Sequence, residues 1–166
     1  MLFRSDARPH SGDFFLPLAA YRPEWKEEIA RMRTRIEKER TPPGKNHLAI
    51  KTGTGGLVDV EFIAQTFCLA RGWQEANTLR ALLLARNENA MPGAEADSLI
   101  ENYRQLLRVE GILRRWSFAG EAVLPDDPAA LYRVAVRCGF SDADTFMKAL
   151  SEWRAAIRGV YVQVMG

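Results

Sequence analysis

A glycine-rich turn offers the first candidate chemistry. Gly53-Thr54-Gly55-Gly56 stands just ahead of an apolar helical pattern, where backbone N–H groups and the helix dipole can converge on an anion such as a phosphate. The spacing departs from known phosphate loops. A dinucleotide fingerprint needs glycine three residues after Gly55, where Val58 stands. Gly44-Lys45 lacks the upstream glycine and the following Ser or Thr of a Walker loop. A tight turn leading into a helix is the expected role. Asp59 and Glu61 follow on the first turns of that helix, where negative charge complements the dipole. Residues two apart point to nearly opposite sides of a helix, so this pair cannot chelate one metal together. On an otherwise apolar helix one of them must be buried or meet a partner, and Lys51 is the nearby candidate. A structural or interdomain joint and a solvated helix start both fit the pattern.

Other groups carry less. Arg31, Arg33, Arg35, Lys38, Arg40 and Lys45 suggest a phosphate-binding stripe, but Glu27, Glu28, Glu37 and Glu39 interrupt it. Such charges pair along a solvated helix face, so no nucleic-acid partner is expected. His10 and His47, the only histidines, have no Cys or carboxylate at zinc-ligand spacing. Asp142-Ala143-Asp144 has the form of paired carboxylates for metal-dependent nucleotidyl transfer, yet no Gly-Ser turn precedes it. Ser141 is expected to cap a helix there. No nucleophile elbow or Cys–His pair appears. No catalytic residue and no metal ligand are assigned.

The elements that position these residues read as helices. Apolar residues fall at helical spacing from Trp25 through Ile29, Met32 and Ile36, with Thr41-Pro42-Pro43-Gly44 as the stop. A second pattern over 57–71 is apolar around most of its circumference and should be central, closing at Gly72. Asn77 caps a third, carrying Leu79, Leu82, Leu83 and Leu84. Beyond the break at Asn89–Gly93, a long fourth helix aligns Leu99, Tyr103, Leu106, Glu110 and Leu113 with Trp116 beside them, and Gly120 ends it. Asp127-Pro128 starts a fifth, Gly139 stops it, and the sixth carries Phe146, Leu150, Trp153, Ile157, Val160 and Val164. The fold class is all-α, a bundle of about six helices over 23–166, preceded by a short extended segment over 1–22. Trp116, Leu106, Leu150 and Trp153 are expected in one core.

Composition agrees with one compact domain. The chain has 166 residues, 47% hydrophobic and 27% charged, with a net charge of +2. It can bury a sizeable core, and bulk charge does not draw it to polyanions. No run approaches the roughly 18 apolar residues of a membrane span. Cys68 and Cys138, far apart in apolar patterns, read as free thiols in a reducing cytoplasm.

One stretch adds a resemblance. Lys51-Thr52-Gly53-Thr54-Gly55-Gly56-Leu57-Val58-Asp59-Val60-Glu61-Phe62-Ile63-Ala64-Gln65 resembles a signature of the glutamine synthetase adenylyltransferase family. Met32-Arg33-Thr34-Arg35-Ile36-Glu37 and Asn77-Thr78-Leu79-Arg80 resemble its flanking motifs, so the likeness covers about residues 23–166. It implies a large cytoplasmic bacterial enzyme of two homologous halves, each a nucleotidyltransferase domain followed by a helical domain. One half attaches AMP from ATP to a tyrosine of glutamine synthetase, and the other removes it by phosphorolysis. This chain resembles the helical domain, and its Leu57-Val58-Asp59-Val60 form looks like the C-terminal, adenylylating half. The Gly-Ser and Asp-x-Asp elements that hold ATP and Mg²⁺ in the catalytic domain are missing, so no cofactor is expected in this chain. The resemblance places Lys51, Gly53, Gly55, Gly56, Asp59, Glu61 and Gln65 on a surface facing the nucleotidyltransferase domain. Glutamine synthetase and the nitrogen signal protein would be partners of the intact enzyme. The helical domain of the related uridylyltransferase of that signal protein, and a stand-alone helical interaction module, are the competing readings.

Overall fold

A computed structural model describes residues 23–116 and 122–166, which form six helices. They are α1 (Trp25–Arg40), α2 (Leu57–Arg71), α3 (Thr78–Asn87), α4 (Gly93–Trp116), α5 (Pro128–Arg137) and α6 (Ala143–Met165). The expected extended segment 1–22 and the stop at Gly120 lie outside the described residues. Among the described residues strand pairing is limited to one antiparallel bridge, Ala49 with Val123, flanked by Ile50 N–H to Ala122 O and Leu124 N–H to Leu48 O.

Local signals set most helix ends. Asn77 and Asp127 accept from the N–H groups of Arg80 and Ala130, satisfying donors that a helix start leaves open. Gly72 ends α2 at φ 70°, in the left-handed region where a side chain would be strained. At the start of α6 the cap is Asp142, accepting from Thr145 N–H at 2.7 Å, and not Ser141, whose hydroxyl donates to the Asp142 carboxylate. These bonds to the charged form, led by that of Thr145, hold the Asp142 carboxyl below its ordinary value.

The breadth of the apolar face on α2 predicts a central position, and α2 indeed packs against α1, α3, α4 and α6. Val60 and Ile63 from α2, Leu82 from α3, Leu99 and Leu106 from α4, and Phe146, Leu150 and Ile157 from α6 are at most 1% exposed. Three expectations fail. Trp116 is 41% exposed, outside the core that holds Leu106 and Leu150, while Trp153 packs at its edge. Met32, expected on the buried face of α1, is 57% exposed. Its neighbour Arg33, expected on the solvated face, is 1% exposed, because a long-range charge rather than apolar periodicity fixes how α1 turns toward the body.

Candidate functional site

Between α1 and α2 the chain reverses through residues 41–56, and the signature motif begins there. Each N–H of residues 53–59 has an internal acceptor. Gly53 donates to Ala49 O, Thr54 to the Asn46 side-chain oxygen, Gly55 to Asp59 Oδ2 at 2.7 Å and Gly56 to Gly53 O. Leu57, Val58 and Asp59 donate to Ile50, Lys51 and Gly56 carbonyls. With these donors engaged, the glycine stretch 53–59 does not fit a phosphate, since an anion cradle needs N–H groups left free.

The glycines are required by close packing. A Cβ on Gly55, whose φ is 70°, would stand 2.1 Å from the Arg154 carbonyl oxygen. One on Gly53 would meet Ala49 O, Asn46 O and the Arg154 guanidinium, each at 2.5 Å. The turn is thus pressed against the backbone of α6.

Asp59 lies at the centre of this packing, fully buried. Its carboxylate accepts from Arg33 Nε of α1, from Gly55 N–H, and from Arg158 Nη1 of α6 at 3.2 Å. Arg33 also donates to Gly53 O at 3.0 Å, and its Nη1 lies 3.4 Å from Glu37, within ion-pair range but off the direction of a hydrogen bond. Arg154, 8% exposed, donates to the carbonyls of Thr54, His47 and Asn46 at 2.7–2.9 Å. Burial lowers its pKa from the usual guanidinium value, with Asp59 and Glu37 opposing that effect. Glu37 in turn accepts from Asn46 Nδ2 and Thr54 Oγ1. A buried ion network of this kind is stable only when its members are also hydrogen-bonded, and here one network ties α1, the turn, α2 and α6.

Glu61 points elsewhere. It is half-buried, and burial raises its carboxyl above the ordinary value. The Lys51 ammonium opposes that shift and Glu110 of α4 reinforces it. Lys51 Nζ stands 3.8 Å from Glu110 Oε1, which also accepts from Arg114 at 3.0 Å. Gln65, one turn beyond Glu61 and on the same helix face, is exposed. Of the two carboxylates for which the sequence offered Lys51 as a candidate partner, Glu61 is the one on which Lys51 acts, and the partners of Asp59 are Arg33 and Arg158.

The seven motif residues divide into two sets. Gly53, Gly55, Gly56 and Asp59 are buried in the scaffold, whereas Lys51, Glu61 and Gln65 form one polar stripe reached by solvent. Sequence reading missed Arg154 and Arg158. The available signal was a pair of arginines four apart inside the apolar stripe Leu150, Ile157, Val160 of α6. Asp142 and Asp144 sit at the exposed start of α6, outside this network. Among the described residues, no three His, Cys, Asp or Glu are grouped to hold a metal. Among the described residues no helix is long and apolar enough to cross a membrane.

Comparison with known proteins gives consistent likenesses. The model of the family described as GlnD PII-uridylyltransferase matches residues 24–165. The bifunctional glutamine synthetase adenylyltransferase/adenylyl-removing enzyme of Pseudomonas aeruginosa is 31% identical over 144 residues, covering 84% of this chain and 15% of that protein. The enzyme of the same name from Nitrosococcus oceani is 33% identical over 120 residues, covering 69% and 12%. That from Neisseria meningitidis is 28% identical over 171 aligned positions, covering 98% and 18%. The chain thus spans under a fifth of the length of these relatives.

Proposed function

Since this chain belongs to the GlnD PII-uridylyltransferase family, we propose that it is a helical, non-catalytic domain that docks on a nucleotidyltransferase domain and holds it in its working geometry. The observation that carries this reading is the division of the motif. A buried network fixes the turn and the start of α2, and that rigid base presents Lys51, Glu61 and Gln65 to a neighbour. Such a stripe, with a half-buried carboxylate beside an ammonium, suits a polar joint between domains.

The relatives' name favours the glutamine synthetase branch. In that reading the intact enzyme transfers AMP from ATP to a tyrosine of glutamine synthetase in the cytoplasm. The neighbouring domain holds ATP and Mg²⁺, and this chain supplies position alone. The name of the matching family model keeps the uridylyltransferase of the nitrogen signal protein as the second reading.

Replacing Lys51 and Glu61 by alanine in the intact enzyme tests the joint. Transfer should fall about a hundredfold, as a small displacement of a catalytic domain can produce, while helicity and the KM for ATP stay at wild-type values. Undiminished turnover would refute the docking role. Assaying the intact enzyme with glutamine synthetase and ATP, then with the signal protein and UTP, decides between the branches.

A further inference from the structure

A second surface, on α4 and α5, shares no residue with the motif. Arg104, Arg108 and Arg115 follow one exposed stripe of α4, with Gly111 between them. On α5, Arg133 and Arg137 are exposed beside Tyr132 and Val136, which are 51% and 46% exposed. Trp116 joins the two helices: Arg137 lies 3.6 Å and Arg133 5.5 Å from its ring centroid. Arg108 reaches the same C-terminal end of α5, beside Gly139, and its charge acts on Cys138. The stripes therefore form one continuous patch.

Charge on this patch is unbalanced. Among the described residues, no carboxylate lies within ion-pair distance of these five arginines, whereas Arg35, Arg86 and Arg114 each have one. Exposed apolar groups lie among the cations, and Arg with aromatic side chains is the composition enriched where proteins bind proteins. A phosphodiester backbone offers nothing to Val136, and Arg137 covers the Trp116 face on which a base would stack.

We infer that the α4–α5 patch docks a protein segment with an apolar ridge edged by carboxylates. Tyr132 and Val136 receive the ridge. Arg133 and Arg137 on one side and the α4 arginines on the other pair with the acids. Arg137, already stacked on Trp116, needs little ordering to do so.

The test uses the 166-residue chain and a fluorescein-labelled helical peptide of leucine and glutamate, patterned with one apolar stripe between two acidic edges. The peptide should bind, and binding should weaken as salt rises. An all-glutamate peptide of equal length should bind more weakly. Arg133→Glu with Arg137→Glu, and separately Arg104→Glu with Arg108→Glu, should each weaken peptide binding at least about tenfold with circular dichroism unchanged. Peptide binding that is absent, or equal in wild type and in a variant pair with native helicity, overturns the proposal. So does tighter binding of a single-stranded RNA than of the peptide.

Discussion

Asp59 is the residue on which the turn depends, because it compensates guanidinium charge from α1 and from α6 inside the protein. Asp59→Ala leaves the buried Arg33 without its counter-charge, and a loss of about 3–5 kcal/mol is expected. Urea unfolding of wild type and variant checks this; a loss near zero would mean that water reaches Arg33. Gly55→Ala forces a Cβ into the Arg154 carbonyl at a positive φ and should cost about 1–3 kcal/mol or more, read from the same melts. Glu61 differs in sign. The fold holds its carboxyl above the ordinary value, chiefly by burial. Protonation therefore favours the folded state. Its contribution is fullest below the unfolded pKa and declines as pH rises through the folded one. Glu61→Gln should accordingly gain stability relative to wild type between about pH 4 and pH 7, which unfolding midpoints at the two pH values measure. Of these roles, the sequence displayed the isolation of a charge on an apolar helix but not its partner. Lys51 was near in sequence, whereas Arg33 and Arg158 are brought to Asp59 only by the packing of α1 and α6.

At the scale of elements, local chemistry was legible and long-range orientation was not. The caps Asn77 and Asp127, the αL glycine at 72 and the bounds of α2 depend on residues within a turn of one another, so they read directly from the chain. Ser141 misled because the adjacent Asp142 has the longer acceptor reach and the extended backbone that a cap requires. Apolar period placed Leu106 and Leu150 in the core correctly. It misplaced Met32, on a helix held to the body by the Arg33–Asp59 pair, and Trp116, which lies at the exposed edge of the buried line of α4 with Arg137 stacked on its ring. Leu106→Ala and Leu150→Ala should each cost about 2–5 kcal/mol, while Trp116→Ala should cost well under either. Denaturant midpoints of the three variants check the ranking, and an equal loss at Trp116 would place that ring inside the core after all.

For the whole molecule, the glycine turn and the start of the helix it precedes are held by a buried network of hydrogen bonds and ion pairs, the base of the proposed joint. No N–H of residues 53–59 is free, and among the described residues no metal-binding group of carboxylates is assembled. The chain by itself should transfer no AMP from ATP to glutamine synthetase, and radiolabelled ATP would reveal any transfer. The resemblance in the motif was specific enough to indicate the family, but it treated seven residues as one set. Only the three-dimensional packing separates the four that build the base from the three that face outward. The most direct test of that separation is the solvent access of the outward stripe. With Cys68 changed to serine, Gln65→Cys should react rapidly with a maleimide in the 166-residue chain and many times more slowly in the intact enzyme, where the proposed nucleotidyltransferase neighbour would cover it. Equal labelling rates in both would contradict the assignment of Lys51, Glu61 and Gln65 as the joint.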